Sequence, residues 1–360
     1  MLNEFMGERD GGGFVKDSLT VQFQTVTPMF LSGADQRKAE IRIPSLKGAL
    51  RFWYRAVDPD YIRHEPILFG NGGKGGGQSR FWMKLNTPMR PQSEEWDKSK
   101  GQKPGLAYLS FSLGQGRKYL FPRKESVEIT ICRRRIASDS REAYEADWKR
   151  LMAAVWLLGH VGGLGARSRR GFGSFALKGM ESDSEELKQI LHLPVAHREK
   201  TPQAWMHGFQ DGLQQIRDGF PGRPTADHTV IDRNSTFHLH PEGFATWDEA
   251  MNYMGILLQN NRKKDTGQGR WSHAASFGMP LMIKNRGTYK PKGYERHASP
   301  VWMRVVRIGD TYHPFIAVLS TFSELTAVGN KKEKLSVSIR EAMKDFRQSL
   351  KESDLLEGGL

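Results

Sequence analysis

Residues 138–173 read SDSREAYEADWKRLMAAVWLLGHVGGLGARSRRGFG, and this stretch decides the fold. The spacing predicts a helix over 138–160, because Leu151, Ala154, Val155 and Leu158 recur at helical intervals on one face. Ser and Asp at its start, with Glu142 behind them, supply N-terminal caps. Gly159, Gly162 and Gly163 end it, as glycines at a helix C-terminus do. A strand over 171–178 returns from the glycine-rich turn. Working outward, 19–25 alternates as a strand. Pro44 and Ser45 open a helix over 46–57, whose apolar side is Leu46, Ala49, Leu50, Trp53 and Val57. Residues 79–85, 106–113 and 127–133 are strand-like, the last with Val127, Ile129 and Ile131 on one face. Strand, helix, strands, helix, strand is the βαββαβ order of an α+β, ferredoxin-like domain with insertions.

A second, less regular copy begins near Thr229. It reads as a strand over 229–240, a helix over 246–260, and strands near 301–307 and 315–321. Residues 180–220 look helical and joining. Residues 334–350 predict a terminal amphipathic helix with Ile339, Met343, Phe346 and Leu350 on its apolar face. The chain divides into a flexible tail (1–18), a first domain (19–180), a helical connection (181–225), a second domain (226–325), and a C-terminal helix and tail (326–360).

The 360 residues carry 54 Lys and Arg against 40 Asp and Glu, a net charge of +14. That excess points to a polyanionic partner, nucleic acid before an acidic protein or a membrane surface. Hydrophobic residues make up 38%, enough to build a core and exclude global disorder. One cysteine, Cys132, excludes an internal disulfide and a Cys-based zinc site, and fits a reducing, cytoplasmic setting. The longest apolar stretch, 151–158, is far shorter than the ~20 residues of a membrane span. The acidic, glycine-bearing N-terminus is not a signal peptide.

The chemistry concentrates in the turn after the long helix. Gly162, Gly163, Gly165, Gly171 and Gly173 bracket Arg167, Arg169 and Arg170. Glycines let backbone approach a ligand and offer N–H groups to phosphate oxygens. Arginines hold phosphates bidentately and stack on bases. Phe172 either stacks a base or fills the core. On the 46–57 helix, Lys47, Arg51 and Arg55 recur every four residues and form a basic ridge, with Arg42 just upstream. Both features suit reading a backbone, not a sequence. No aromatic strand motif of the RNA-stacking kind is evident.

The glycine turn resembles the glycine-rich loop of the RAMP superfamily, the repeat-associated RNA-binding proteins of CRISPR systems. Residues 27–34 (TPMFLSGA) and 40–56 (EIRIPSLKGALRFWYRA) resemble the N-terminal signature of one branch, which supplies the first RAMP subunit of the Cmr (type III-B) effector complex. Leu68-Phe69-Gly70, and Arg296 to Pro300 before a late strand, fit the same branch. The resemblance implies two ferredoxin-like (RRM-like) halves packed around a basic cleft. It implies a non-catalytic subunit that contacts guide RNA and helps capture target RNA, with other subunits of the complex as partners and no membrane. Arg42, Lys47 and Arg51 would face the cleft beside Arg167, Arg169 and Arg170.

Weaker signals carry alternatives. Arg262, Lys263, Lys264 and Arg270 form a second RNA-contact strip or a solvated loop. Gly72-Gly73-Lys74-Gly75 lacks the order and setting of a nucleotide loop. The pairs His192/His197 and His238/His240 have no carboxylates or cysteines at metal-ligand spacing, so no metal or other cofactor is expected. A metal-independent endoribonuclease processing guide precursors is the main alternative. His64 and His160 are then the acid–base candidates. A basic scaffold that binds only proteins is the third reading.

Overall fold

The computed structural model describes residues 18–73, 76–86, 93–97, 103–122, 126–134, 140–190, 192–222, 228–267, 269–330 and 332–359. The expected tail, and Lys74 and Gly75 of the glycine loop, fall outside them apart from Ser18. The fold is mixed α+β with antiparallel sheets.

In the first half, β1 (Ser18–Thr25), α1 (Ile43–Val57), α2 (Tyr61–Phe69) and β2 (Phe81–Leu85) come first. Then follow β3 (Ser93–Glu95), α3 (Pro104–Ser110), β4 (Lys118–Leu120), β5 (Ser126–Arg133), α4 (Arg141–His160) and β6 (Phe175–Glu181). The sheet runs β2-β5-β1-β6. Alternation aims Leu19, Val21, Phe23, Val127, Ile129 and Ile131 at one core with α1 and α4. Ser140 caps α4 by accepting from Ala143 N–H at 3.3 Å.

Two expectations fail here. Residues 106–113 are not a strand, since α3 starts at Pro104, where a missing N–H costs a helix nothing. The returning strand starts at Phe175, because Gly171 (φ 87°) and Gly173 (φ 62°) hold the chain in a turn.

The second half contains α5 (Glu185–Ile190), α6 (Pro202–Asp218), β7 (Thr236–Leu239), α7 (Trp247–Arg262), α8 (Arg270–Ser276), β8 (Leu281–Ile283) and β9 (Gly287–Pro291). It ends with β10 (Val301–Ile308), β11 (Thr311–Val318), β12 (Glu324–Gly329), β13 (Lys334–Ser338), α9 (Ile339–Lys351) and β14 (Leu356–Gly359). Its main sheet runs β10-β11-β7-β14. The strand at 229–240 shrinks to four residues, because Asp232 to Ser235 form a hydrogen-bonded turn. The predicted helix over 334–350 begins only at Ile339, since residues 334–338 pair with β12 as a strand. The chain end adds β14 to β7.

Both faces of the second sheet are covered. On β10, Val301, Met303 and Val305 face α7 and α9. Trp302, Val306 and Ile308 face a core shared with α4 and with Trp205 and Phe209 of α6. A strand buried on both sides reads as a continuous apolar run, not an alternating one. Arg304 interrupts that run. It is 1% exposed, and none of its guanidinium nitrogens has a hydrogen-bond partner among the described residues. Burial pulls its pKa down to about 9. Among the described residues no helix is long and apolar enough to cross a membrane.

An uncompensated buried cation is costly, so Arg304→Met is expected to stabilise the fold by about 1–4 kcal/mol, read as a higher melting temperature. A lower melting temperature would show that the guanidinium is compensated in solution. Acid should act the other way. Burial pulls His160 down to about 3 and His238 to about 4, whereas both titrate near 6.5 when unfolded. Between pH 6.5 and about 4 the unfolded chain therefore binds protons that the folded chain refuses, and stability falls as pH falls. Denaturant midpoints measured from pH 7.5 to 4.5 should decline; a flat profile would show that these histidines protonate within the fold.

Candidate nucleic-acid interface

The turn between α4 and β6 packs against three other segments. Ala166 N–H donates to Phe30 O at 2.8 Å and Gly173 N–H to Pro28 O at 2.9 Å. The Thr27 hydroxyl donates to Gly171 O at 2.6 Å. The two segments that stood out in the sequence, 27–34 and 162–173, are thus one hydrogen-bonded unit. The glycines serve close approach. A Cβ on Gly173 would sit 1.9 Å from Leu164 O, and one on Gly162 would sit 2.3 Å from the Trp53 indole. Toward the second half, Met303 N–H donates to Arg169 O at 3.2 Å and Val305 N–H to Ser174 Oγ at 3.0 Å.

This stitching holds the turn's arginines at a cleft of about 510 Å³. Arg167, Ser168, Arg169 and Arg170 form one wall. The other comes from Arg262 at the end of α7, Phe277 to Pro280 after α8, and Arg296 to Ser299 before β10. None of the described residues that line it is Asp or Glu. Arg169 is fixed by donating to Ser299 O at 2.8 Å, and it lies over Trp302 and Phe52 at 4.5 and 5.5 Å. Arg170 donates to Phe277 O at 3.3 Å, and Arg262 to the Tyr108 hydroxyl at 2.8 Å. Arg167 Nε, Arg170 Nη1 and Arg262 Nε are buried with no hydrogen-bond partner among the described residues. Burial pulls Arg169 and Arg170 down to about 10, and at Arg170 the neighbouring Arg262 adds repulsion. Buried cations that repel one another and keep N–H donors in reserve are stabilised by an anion, and phosphate matches the guanidinium fork.

The other expected site residues are placed differently. Phe172 is fully buried among Phe30 and Trp96, so it fills the core and stacks no base. The ridge on α1 does not line the cleft. Arg51 pairs with Glu65 at 3.1 Å and donates to Gly70 O at 2.6 Å, and Arg55 makes a bidentate pair with the same Glu65. Helix periodicity brought these cations together, but α2 supplies a carboxylate that sequence spacing could not reveal. Lys47 lies over Phe81 at 5.2 Å, and Arg42 sits 3.5 Å from Glu40. The strip 262–270 is split: Arg262 turns into the cleft, Lys263 and Lys264 are exposed, and Arg270 lies over Trp271.

His160 is unsuited to proton transfer. It is fully buried, its Nδ1 donates to Trp156 O at 2.9 Å, and its Nε2 accepts from Ala196 N–H at 3.2 Å. His64 lies 3.5 Å from Asp58, away from the cleft. His197 also spends both ring nitrogens inside the core, on Gly159 O and the Trp205 indole. Among the described residues no group of three or more His, Cys, Asp or Glu comes together as metal ligands would. As site residues, sequence reasoning missed Arg296, His297 and Tyr108. The segment 296–300 did stand out by resemblance, whereas nothing local marks Tyr108, which reaches the site through packing of α3 on α7.

Comparisons with known proteins agree with this architecture. Residues 22–176 match the family model of the RAMP superfamily. The Cmr subunit Cmr1-1 of Pyrococcus furiosus is 27% identical over 292 residues, covering 75% of this chain and 77% of that protein. Cmr1-2 of the same organism is 26% identical over 175 residues, covering 43% of this chain and 92% of that protein. The crystal structure of Pyrococcus furiosus Cmr1 superposes with a TM-score of 0.59 at 19% identity, covering 94% of this chain and 97% of that one. A chain of the type III-B Cmr-beta complex bound to cognate target RNA gives 0.59 at 10% identity, covering 94% and 99%. These structural likenesses establish a shared fold. Over residues 22–176 the chain is similar to the RAMP superfamily, and over three quarters of its length it is similar to the Cmr1 subunits of a CRISPR system.

Proposed function

We propose that this chain is a non-catalytic subunit of a type III-B CRISPR effector that binds single-stranded RNA, guide or target, in the cytoplasm. The observation that carries the reading is the cleft of Arg167, Arg169, Arg170, Arg262 and Arg296, with no acidic residue among the described residues of its lining. The Cmr names of the relatives, and the RNA in the complex whose subunit shares this fold, support it. The two halves read as ferredoxin-like. Support comes from the element order strand–helix–strand–strand–helix–strand, repeated with equivalent strand orders β2-β5-β1-β6 and β10-β11-β7-β14. Phosphate contacts dominate this binding, so base preference is slight.

A nuclease reading finds little support in His64 or His160. Among the described residues the one histidine in the cleft is His297, which burial and Arg169 hold below its ordinary pKa. Among the described residues no carboxylate lines the cleft to serve as its acid–base partner.

The test is a salt titration of labelled single-stranded RNA in magnesium-free buffer, followed by a denaturing gel. Arg167→Ala and Arg262→Ala should each weaken binding equally across sequences. Each should also flatten the plot of log affinity against log salt by roughly 0.7 for every phosphate no longer neutralised. Arg55→Ala should leave that slope unchanged and cost stability, because Glu65 loses one of its two ion-pair partners. The RNA should stay intact. Cut RNA would overturn the non-catalytic role and make His297→Ala the next variant. Unchanged slopes in both arginine variants would overturn the site.

A further inference from the structure

Beside the arginine cleft lies a second hollow of about 330 Å³, lined by Tyr108, Leu109, Phe111, Arg167, Arg170 and Arg262. The two hollows share the last three residues. Tyr108 and Leu109 belong to α3, and Phe111 follows its last residue. Close approach of glycines sets α3 on α7: a Cβ on Gly105 would sit 2.0 Å from Asn252 O, and one on Gly255 would sit 2.1 Å from Gly105 O. The aromatic end of α3 thereby meets the last turn of α7, where Arg262 donates to Tyr108.

Chemistry changes sign across the shared arginines. On the cleft side are cations and backbone polar groups. On the other side are two aromatic rings and a leucine. Phe111 is 82% exposed, although phenylalanine is normally a buried residue. A single-stranded polynucleotide alternates in the same way, with charged phosphates joined to flat apolar bases. Proteins bind it by pairing cations with stacking rings.

We propose that this second hollow receives one base of a bound RNA strand, stacked on Phe111 beside Tyr108, while the adjoining phosphate rests on Arg167, Arg170 and Arg262. The inference rests on the RNA-binding reading above and adds a base-stacking subsite to it. Every base offers a π-face, so the subsite tolerates any base.

The test uses the full chain, single-stranded oligoadenylate, and the same oligomer with one abasic ribose moved along its length. Phe111→Ala removes a largely exposed ring. It should weaken oligoadenylate binding roughly 5- to 150-fold, the equivalent of ~1–3 kcal/mol for one stacked base. The salt slope should not change, since every arginine stays on its phosphate. One abasic position should weaken the wild type and not the variant. Equal affinities of variant and wild type, or equal losses at every abasic position in both, overturn the base subsite and leave the arginine cleft standing. A wild-type chain that binds no RNA in a salt-sensitive way overturns the RNA reading and the subsite together.

Discussion

The cleft exists because one turn, residues 162–173, is held by hydrogen bonds between the segment after β1 and β10. Its backbone takes hydrogen bonds from β10 and gives them to the segment after β1, and its glycines remove the side chains that would forbid such contact. Interiors are close-packed, so an added methyl group at Gly173 or Gly162 would have to displace backbone or an indole. The turn therefore has a fixed position relative to Ser299 and Phe277, and the arginines it carries inherit that position.

Six of the arginines near the turn and on α1 fall into three kinds. Arg51 and Arg55 are neutralised by Glu65 and fasten α2 to α1. Arg169 is a staple between halves, lying over Phe52 from α1 and Trp302 from β10. Arg167, Arg170 and Arg262 keep buried N–H groups in reserve. Holding these cations together costs folding free energy, because desolvation and mutual repulsion both act on them. A structure that bears such a cost beside a cleft has stored affinity for an anion. Among these six arginines, charge thus divides into charge committed to structure and charge left over at the cleft.

The two main sheets differ in how legible their strands are. In the first, long periodic segments mark α1 and α4, and the alternation of 127–133 marks β5. In the second, β7 is four residues long, β10 and β11 are buried on both faces, and the strand that completes the sheet is Leu356–Gly359, with two glycines in it. Short or doubly buried strands carry no clean period-two signal, and Leu-Glu-Gly-Gly has little intrinsic strand preference. Pairing with β7 makes it a strand.

The sequence by itself determined the charge excess, the order of the first half, the two segments that form the stitched turn, and the family resemblance they carry. These are local properties: periodicity, capping, and glycine beside arginine within a dozen residues. Only the tertiary structure decided which cations face the cleft. That choice depends on Glu65 reaching Arg51 and Arg55 from α2, on Arg262 arriving from a helix about a hundred residues away, and on α3 settling against α7 to bring Tyr108 and Phe111 beside them. Charge pairing is decided by distance in space, and spacing along the chain reveals that distance only within a single helix or strand.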